Sequence, residues 1–415
     1  MTTADAAQLP SMRQSLASGV GPRLVLVLLT LSVLDELDRS SLFVLGPDIE
    51  RSLHLSDAEL GAVVSATALF VTLLGLPVAF LADRTRRVPV AAACALIAGA
   101  ATAVTGAARA LAPLLAIRLV TGAGQSAVLP VHQALIADGY PARTRPRILG
   151  VHNLAAPIGK IVAPPLAGGI AALAGGAAGW RWPFVVTGGL LVAAALVAFR
   201  LPEPGRSGAG DVVRFGSAVR ELVAIKPLRR LLLSVGVVGF SIVGLPTFLN
   251  VLYKDAYGLG PFRRGLLDAV VQSGAILGVT VGSVLAARRD LRRRLRLLAV
   301  VLPAYGAVLA LALSQHRLPV LVAGLAVAAA LSSAPVVPYY ASVAALVPDR
   351  VRAVGFALMG VSVAVVGGVG GSVLIGALSD ATGPRVALAC VVPPTVALAG
   401  LLAWSAERAL EGDVP

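Results

Sequence analysis

Long apolar runs alternate along this chain with short charged or Pro/Gly-rich punctuation. Runs such as Arg23–Leu34, Leu60–Ala82, Val90–Ala108 and Gly189–Ala198 have the length, alone or with adjoining segments, to cross about 30 Å of hydrocarbon. Cutting at the punctuation predicts twelve membrane helices, over 22–45, 58–82, 88–108, 111–137, 147–172, 183–200, 228–252, 265–287, 296–314, 318–346, 353–378 and 384–405. One polar connection is long, Leu201–Arg230; it opens LPEPGRSGAGD, a linker composition, and Arg214–Glu221 is expected to form a short surface helix. The predicted fold class is therefore an all-α membrane protein of two six-helix bundles. Residues 1–21 read as an N-terminal tail, since they lack the apolar core and cleavage site of a secretory signal. Residues 22–200 form the first bundle, 201–227 the linker, 228–405 the second bundle and 406–415 a C-terminal tail.

Composition agrees with that pattern. The 415 residues are 57% hydrophobic and only 13% charged, whereas a soluble domain is about a quarter charged. A formal net charge of +14 suggests nucleic acid at first, but the arginines gather in alternate loops. Arg84, Arg86 and Arg87 share one side with Arg143, Arg145 and Arg147, with Arg206–Arg230, with Arg288–Arg296, and with Arg350 and Arg352. The positive-inside rule makes that side, both termini and the linker cytoplasmic. A multi-pass cell-membrane protein, of the bacterial inner-membrane kind, is expected, with no nucleic-acid partner and as a monomer. Cys94 and Cys390 both lie in apolar segments and read as small core residues.

Charges inside the helices point to chemistry. LSVLDELDRSSLF, Leu31–Phe43, places Asp35, Glu36, Asp38 and Arg39 in a stretch otherwise fit for lipid. At about 100° per residue Asp35, Asp38 and Arg39 share a face and Glu36 lies further round. Asp35 and Arg39, four apart, are expected to pair. Each charge at bilayer depth costs at least about 2.5–3.5 kcal/mol, so a cavity or partners should receive them. An acid beside an arginine that substrate or conformation can displace is a proton switch, which makes Asp38 and Asp35 the proton-coupling candidates; a structural ion pair is the alternative.

Arg118 is a second deep charge, with Gln125 and His132 following at intervals of seven on about the same face. It is read as a fork for an anionic head, as the counter-ion of Asp38, or as a structural cap on the carbonyls of broken helices. Lys160, in a chain almost without lysine, shares one side with Asn153, Pro157 and Pro164; anion binding and snorkelling to the interface both remain open. The second half shows aromatic and polar candidates instead: Phe248, Asn250, Tyr253, Gln272, Tyr305, Ser332, Ser333, Tyr339 and Tyr340. No charge comparable to those of the first half is expected within its helices. The substrate-binding set is Arg39, Arg118, Gln125, Asn153, Lys160, Phe248, Asn250, Tyr253, Tyr339 and Tyr340. A wall of charges facing a wall of aromatics suits an amphipathic cargo with an acidic head. No HExxH, GxSxG or Cys/His metal spacing occurs, so neither an enzyme, a cofactor nor a metal is expected.

The halves also repeat: PARTRPRILG from Pro141 aligns with PDRVRAVGFA from Pro348, and a six-plus-six repeat is how many secondary transporters are built. At this point the chain resembles the major facilitator superfamily. GLPVAFLADRTRR, Gly75–Arg87, is similar to its loop signature between the second and third helices, with Arg86 where a glycine is usual; RLVTGAGQ, Arg118–Gln125, resembles its fourth-helix motif. The resemblance implies a gating role for Asp83, Arg84 and Arg87. Within the superfamily, Asp38–Gly61 and GWRWPFVVTG, Gly179–Gly188, are similar to Spinster-like transporters, although Gln125 stands where that family often carries an acid. What this implies is a proton-coupled, alternating-access transporter of a lysophospholipid or similar amphiphile. Export of drugs, or transport of organic anions, is the alternative.

Overall fold

The computed structural model describes residues 18–128, 130–141, 143–205, 215–287, 289–348 and 351–410. Residues 1–17 of the expected N-terminal tail, 206–214 of the linker and 411–415 of the C-terminal tail lie outside the described residues.

The described chain is helical. α1 (Pro22–Leu53), α2 (Asp57–Arg84), α3 (Arg87–Thr105), α4 (Leu111–Gln125), α5 (Pro130–Gly139), α6 (Arg145–Asn153), α7 (Ala155–Ala174) and α8 (Arg181–Ala198) form the first half. α9 (Phe215–Ala224) takes in the expected surface helix from Phe215 onward. The second half comprises α10 (Lys226–Gly239), α11 (Leu245–Tyr257), α12 (Pro261–Ala287), α13 (Leu291–Leu313), α14 (Leu318–Ser333), α15 (Val336–Leu346), α16 (Arg352–Ser362), α17 (Ser372–Thr382) and α18 (Pro384–Ala409). Eleven helical spans among the described residues are long and apolar enough to cross a membrane. α1, 32 residues long, carries the four interior charges at its middle.

Three expected spans are each two helices. The fourth breaks between Gln125 and Pro130, the tenth between Ser333 and Val336, and the fifth at Leu154. Pro130 and Pro335 lack the N–H that would continue the ladder and crowd the preceding turn. π-helical segments at Phe240–Gly244 and Val363–Gly371 join α10 to α11 and α16 to α17. The first helix also runs on to Leu53, past the expected limit of 45, because Pro47 is tolerated within it and the chain turns only at His54, in left-handed conformation. Ser56 and Glu59 then start α2 with a reciprocal capping box, which satisfies donors that a helix start leaves open.

Two clusters of helices fold within the halves: α3 packs on α8 and α4, and α1 on α7, while α18 packs on α13 and α10. α12 lies along α14 through Gly274, Gly278 and Gly282, each of which sets a backbone carbonyl of α14 or the residue following it about where a Cβ would stand; small residues at this spacing let membrane helices approach closely. The halves meet through α7 on α12, α2 on α17 and its π segment, and α1 on α11.

These junctions concentrate at one end of the molecule, called distal here, opposite the terminal end where α1 begins and α18 finishes. There the Asp380 carboxylate accepts the backbone N–H groups of Asp57 (2.8 Å) and Ala58 (3.1 Å), capping α2 from the other half. Lys254 Nζ donates to Pro47 O at 2.6 Å. Arg264 donates to Val44 O at 3.0 Å and pairs with Asp48. A Cβ on Gly265 would fall 2.2 Å from Pro164 O, and one on Gly168 2.3 Å from Pro261 O. The distal end is closed backbone to backbone. At the terminal end, by contrast, Arg87 pairs with Asp138 and Arg296 with Glu407, each inside its own half.

Candidate functional site

Three polar groups occupy the core of the first half. In the first, Asp38 and Arg118 are both completely buried. Arg118 Nη1 donates to both Asp38 oxygens at 3.2 and 3.1 Å, and Nη2 to Oδ1 at 3.1 Å and to Thr105 Oγ1 at 2.5 Å. Gln125 Nε2 adds a fourth hydrogen bond to Asp38, to Oδ2 at 3.1 Å, and the guanidinium lies 5.2 Å from the Phe184 ring. The amide at position 125 is thus a donor to the one acid, in the place where a second acid would repel it. Such a pair is held by geometry and by the remaining hydrogen bonds, since both charges have left water.

The second group joins Ser32 Oγ to His132 Nδ1 (3.3 Å) and His152 Nε2 (3.1 Å), with the two imidazoles edge to face. Asp35 lies one turn further along α1, buried, with Oδ1 lacking a partner.

The third group corrects the expected pairing. Arg39 reaches Glu36 at 3.6 Å, and not Asp35. The reason is packing: Glu36 seats its side-chain carbons against Gly159, on the side of α1 toward which Arg39 can fold, whereas Asp35 turns into the core. Arg39 remains 43% exposed although it stands near the middle of α1. Lys160, next to Gly159 and near the middle of the fifth span, is exposed too, as is Asn153. Charged groups at that depth belong in a water-filled cavity.

The second half holds charges after all, against the expectation. Asp268 and Arg264 both lie inside α12. Asn250, wholly buried, donates through Nδ2 to Asp268 Oδ2 (2.8 Å) and to Pro246 O (2.9 Å). The register of α7 against α12 pairs residue 168 with 261 and 164 with 265; one further turn brings Lys160 level with Asp268 and Ala269. Asp268 was visible in the sequence as an acid inside the eighth expected span, but its neighbours in sequence are apolar and gave it no partner.

Other expected site residues lie elsewhere. Phe248 and Tyr253 are fully buried in an aliphatic cluster with Leu249, Leu252 and Tyr305. Tyr339 is buried and hydrogen-bonded to Ser234 at 2.7 Å, while Tyr340 is exposed and packs on Phe356. In the loop between α2 and α3, Arg87 joins Asp83 (2.6 Å) to Asp138, and Arg84 stacks on Phe80. Glu203, unnoticed in the sequence, accepts the N–H groups of Arg87 (2.7 Å) and Val88 (3.0 Å) and caps α3.

Residues 28–371 match the model of the Major Facilitator Superfamily. The chain is 28% identical over 268 residues to a probable sulfoacetate transporter of Cupriavidus necator, covering 61% of each protein; it thus spans less than two thirds of that relative. It is 29% identical over 374 residues to an MFS-type efflux pump of Mycolicibacterium smegmatis, covering 85% of this chain and 83% of the pump. Its fold superposes with a TM-score of 0.79 on a bacterial homolog of the human lysosomal transporter Spinster, crystallised inward-facing and unoccupied. That alignment is 22% identical and covers 94% of this chain and 97% of the other, a likeness of fold.

Proposed function

The chain belongs to the Major Facilitator Superfamily, and from that premise we propose that it moves an organic anion across the membrane by alternating access. Arg39 and Lys160 carry the reading: two cations, exposed at mid-helix depth, on adjacent helices beside the point where the halves part. A carboxylate, sulfonate or phosphate entering there meets both, with Arg39 able to present a planar fork and Asn153 a neutral donor one to two turns nearer the terminal end. Glu36 holds Arg39 by a single long contact, so a substrate anion competes on favourable terms. The relation to a probable sulfoacetate transporter supports the same class of cargo.

The asymmetry of the junctions supports alternating access. A distal end closed by Asp380, Lys254 and Arg264 supports access to the substrate site from the terminal end, the side that the arginine bias of the loops favours as cytoplasmic. In the opposite state the loop holding Asp83, Arg84 and Arg87 would meet the second half. Proton coupling belongs to this reading, with Asp35, buried and with Oδ1 lacking a partner, one turn along α1 from Asp38 of the Asp38–Arg118 pair.

A second reading, transport of a lysophospholipid or similar amphiphile, draws on the resemblance of Asp38–Gly61 and Gly179–Gly188 to Spinster-like transporters. Ligand-dependent thermal stabilisation separates the two, since a ligand that binds only the folded protein raises its apparent stability. Small organic anions, sulfoacetate among them, are expected to stabilise the protein and to lose that effect in Arg39→Gln. Stabilisation by lysophospholipids alone would replace the first reading by the second.

A further inference from the structure

Asp268 and Arg264 lie one turn apart on α12, yet they turn to different partners. Arg264 is 1% exposed and crosses to the other half, where it holds Val44 O and the Asp48 carboxylate. Asp268 keeps Asn250. Residues four apart on a helix are within reach of each other, so Arg264 has a second carboxylate available whenever the first is withdrawn. Opening the distal end withdraws it, because Asp48 and Val44 belong to α1 and leave with the first half.

The remaining atoms of the site show which form of Asp268 the closed state suits. Asn250 Oδ1 is buried without a partner, as is the Tyr253 hydroxyl one turn along. An amide whose Nδ2 donates to one carboxyl oxygen and whose Oδ1 is vacant has an acceptor left over for a donor on that side. A neutral carboxylic acid carries such a donor and an ionised one does not. With Arg264 facing Asp48, a protonated Asp268 supplies that donor; with Arg264 turned back, an ionised Asp268 gains a charge-assisted hydrogen bond.

We infer that Asp268 is a proton-binding site of the second half, and that Arg264 passes from Asp48 to Asp268 as the distal end opens. The inference rests on the alternating-access reading above and adds to it a route by which proton binding sets the state of the gate. The charged and titratable groups around Asp268 are few. α11 brings Tyr253 and Lys254, with Asp255 and Tyr257 further along, α1 brings Asp48, Glu50 and Arg51, and α7 brings Lys160 level with it. α12 itself adds Arg263 and Arg264. α14 has no titratable residue, and α15 has Tyr339 and Tyr340.

The sign follows from the two pairings. Raising the pH ionises Asp268, which favours Arg264 at Asp268 and hence the open distal end. Lowering it favours the closed arrangement described here. One proton linked to the change alters the open-to-closed ratio by up to about tenfold per pH unit.

The test places spin labels at Arg109→Cys and Ser314→Cys, on distal loops of opposite halves, in a full chain whose Cys94 and Cys390 are replaced by alanine. Inter-label distances are read across pH in nanodiscs. In the wild-type background the long-distance population is expected to grow with pH. Asp268→Asn should abolish that response, and Asp48→Asn should raise the long-distance population while keeping it. A response unchanged in Asp268→Asn would overturn the exchange, whichever other acid carries it. Should Asp268→Asn fold poorly, Arg264→Gln serves instead, since it too removes the Arg264–Asp268 pair and is expected to flatten the response. Distances that stay short in every variant, Asp48→Asn included, would overturn the exchange together with alternating access, an outcome distinct from an opening that ignores pH.

Discussion

Asp38 and Arg118 face each other in a fully buried cluster, with three N–O separations of 3.1–3.2 Å and no exposure of either side chain. With Thr105 and Gln125 at its margins, the pair ties α1 to α4 and sits apart from the exposed Arg39. Removing one partner leaves the other charge buried and alone, at a cost of about 3–5 kcal/mol. Asp38→Asn and Arg118→Gln should each lower the thermal transition markedly, and the double variant should recover much of the loss. A double variant as unstable as the sum of the singles would show that the charges do not act as a pair.

The close approach of α7 and α12 predicts a different kind of defect. An alanine methyl at Gly265 would press on Pro164 O at 2.2 Å, and a contact that short forces the backbones apart. Gly265→Ala should therefore favour the distal-open state, seen as increased reactivity of a cysteine placed at Phe262. Because the first half's own core is untouched, its thermal transition should fall less than that of Asp38→Asn.

Asp380 caps α2 across the two halves, and loss of a side-chain cap is worth about 0.5–2 kcal/mol. Since that contact exists only while the distal end is closed, Asp380→Ala should raise the open-to-closed ratio about 2- to 30-fold. Inter-label distance distributions would register the change. An unchanged distribution would mean that the cap stabilises α2 equally in both states.

The membrane spans, the two halves and the deep charges of α1 were legible because each leaves a local mark: a long apolar run, a loop rich in arginine, an acid where lipid should be. The Asp38–Arg118 relation could be reached as one of three options, since both charges are costly alone and a buried arginine has few other places to go. The Glu36–Arg39 contact could not, because helical spacing alone allowed Asp35 as readily; Gly159, on another helix, leaves the room that seats Glu36. Asp268 escaped attention for a related reason. Its partner Asn250 lies eighteen residues away on a different helix, and the polar pair forms only once α11 and α12 are side by side. The aromatic residues of the second half show the opposite failure: Phe248 and Tyr253 suit a binding wall by type, but they are core residues, which composition cannot distinguish.

Counterflow of a labelled organic anion into proteoliposomes tests the central claim directly. Protein-containing vesicles preloaded with the unlabelled anion should accumulate the label transiently and saturably. Arg39→Gln and Lys160→Gln should each raise the half-saturating concentration about tenfold, the worth of one charge-assisted contact of about 1.4 kcal/mol, with thermal stability unchanged. Counterflow of the same magnitude and affinity in both variants would contradict the account, since it would place the substrate's anionic group away from the two cations on which the reading depends.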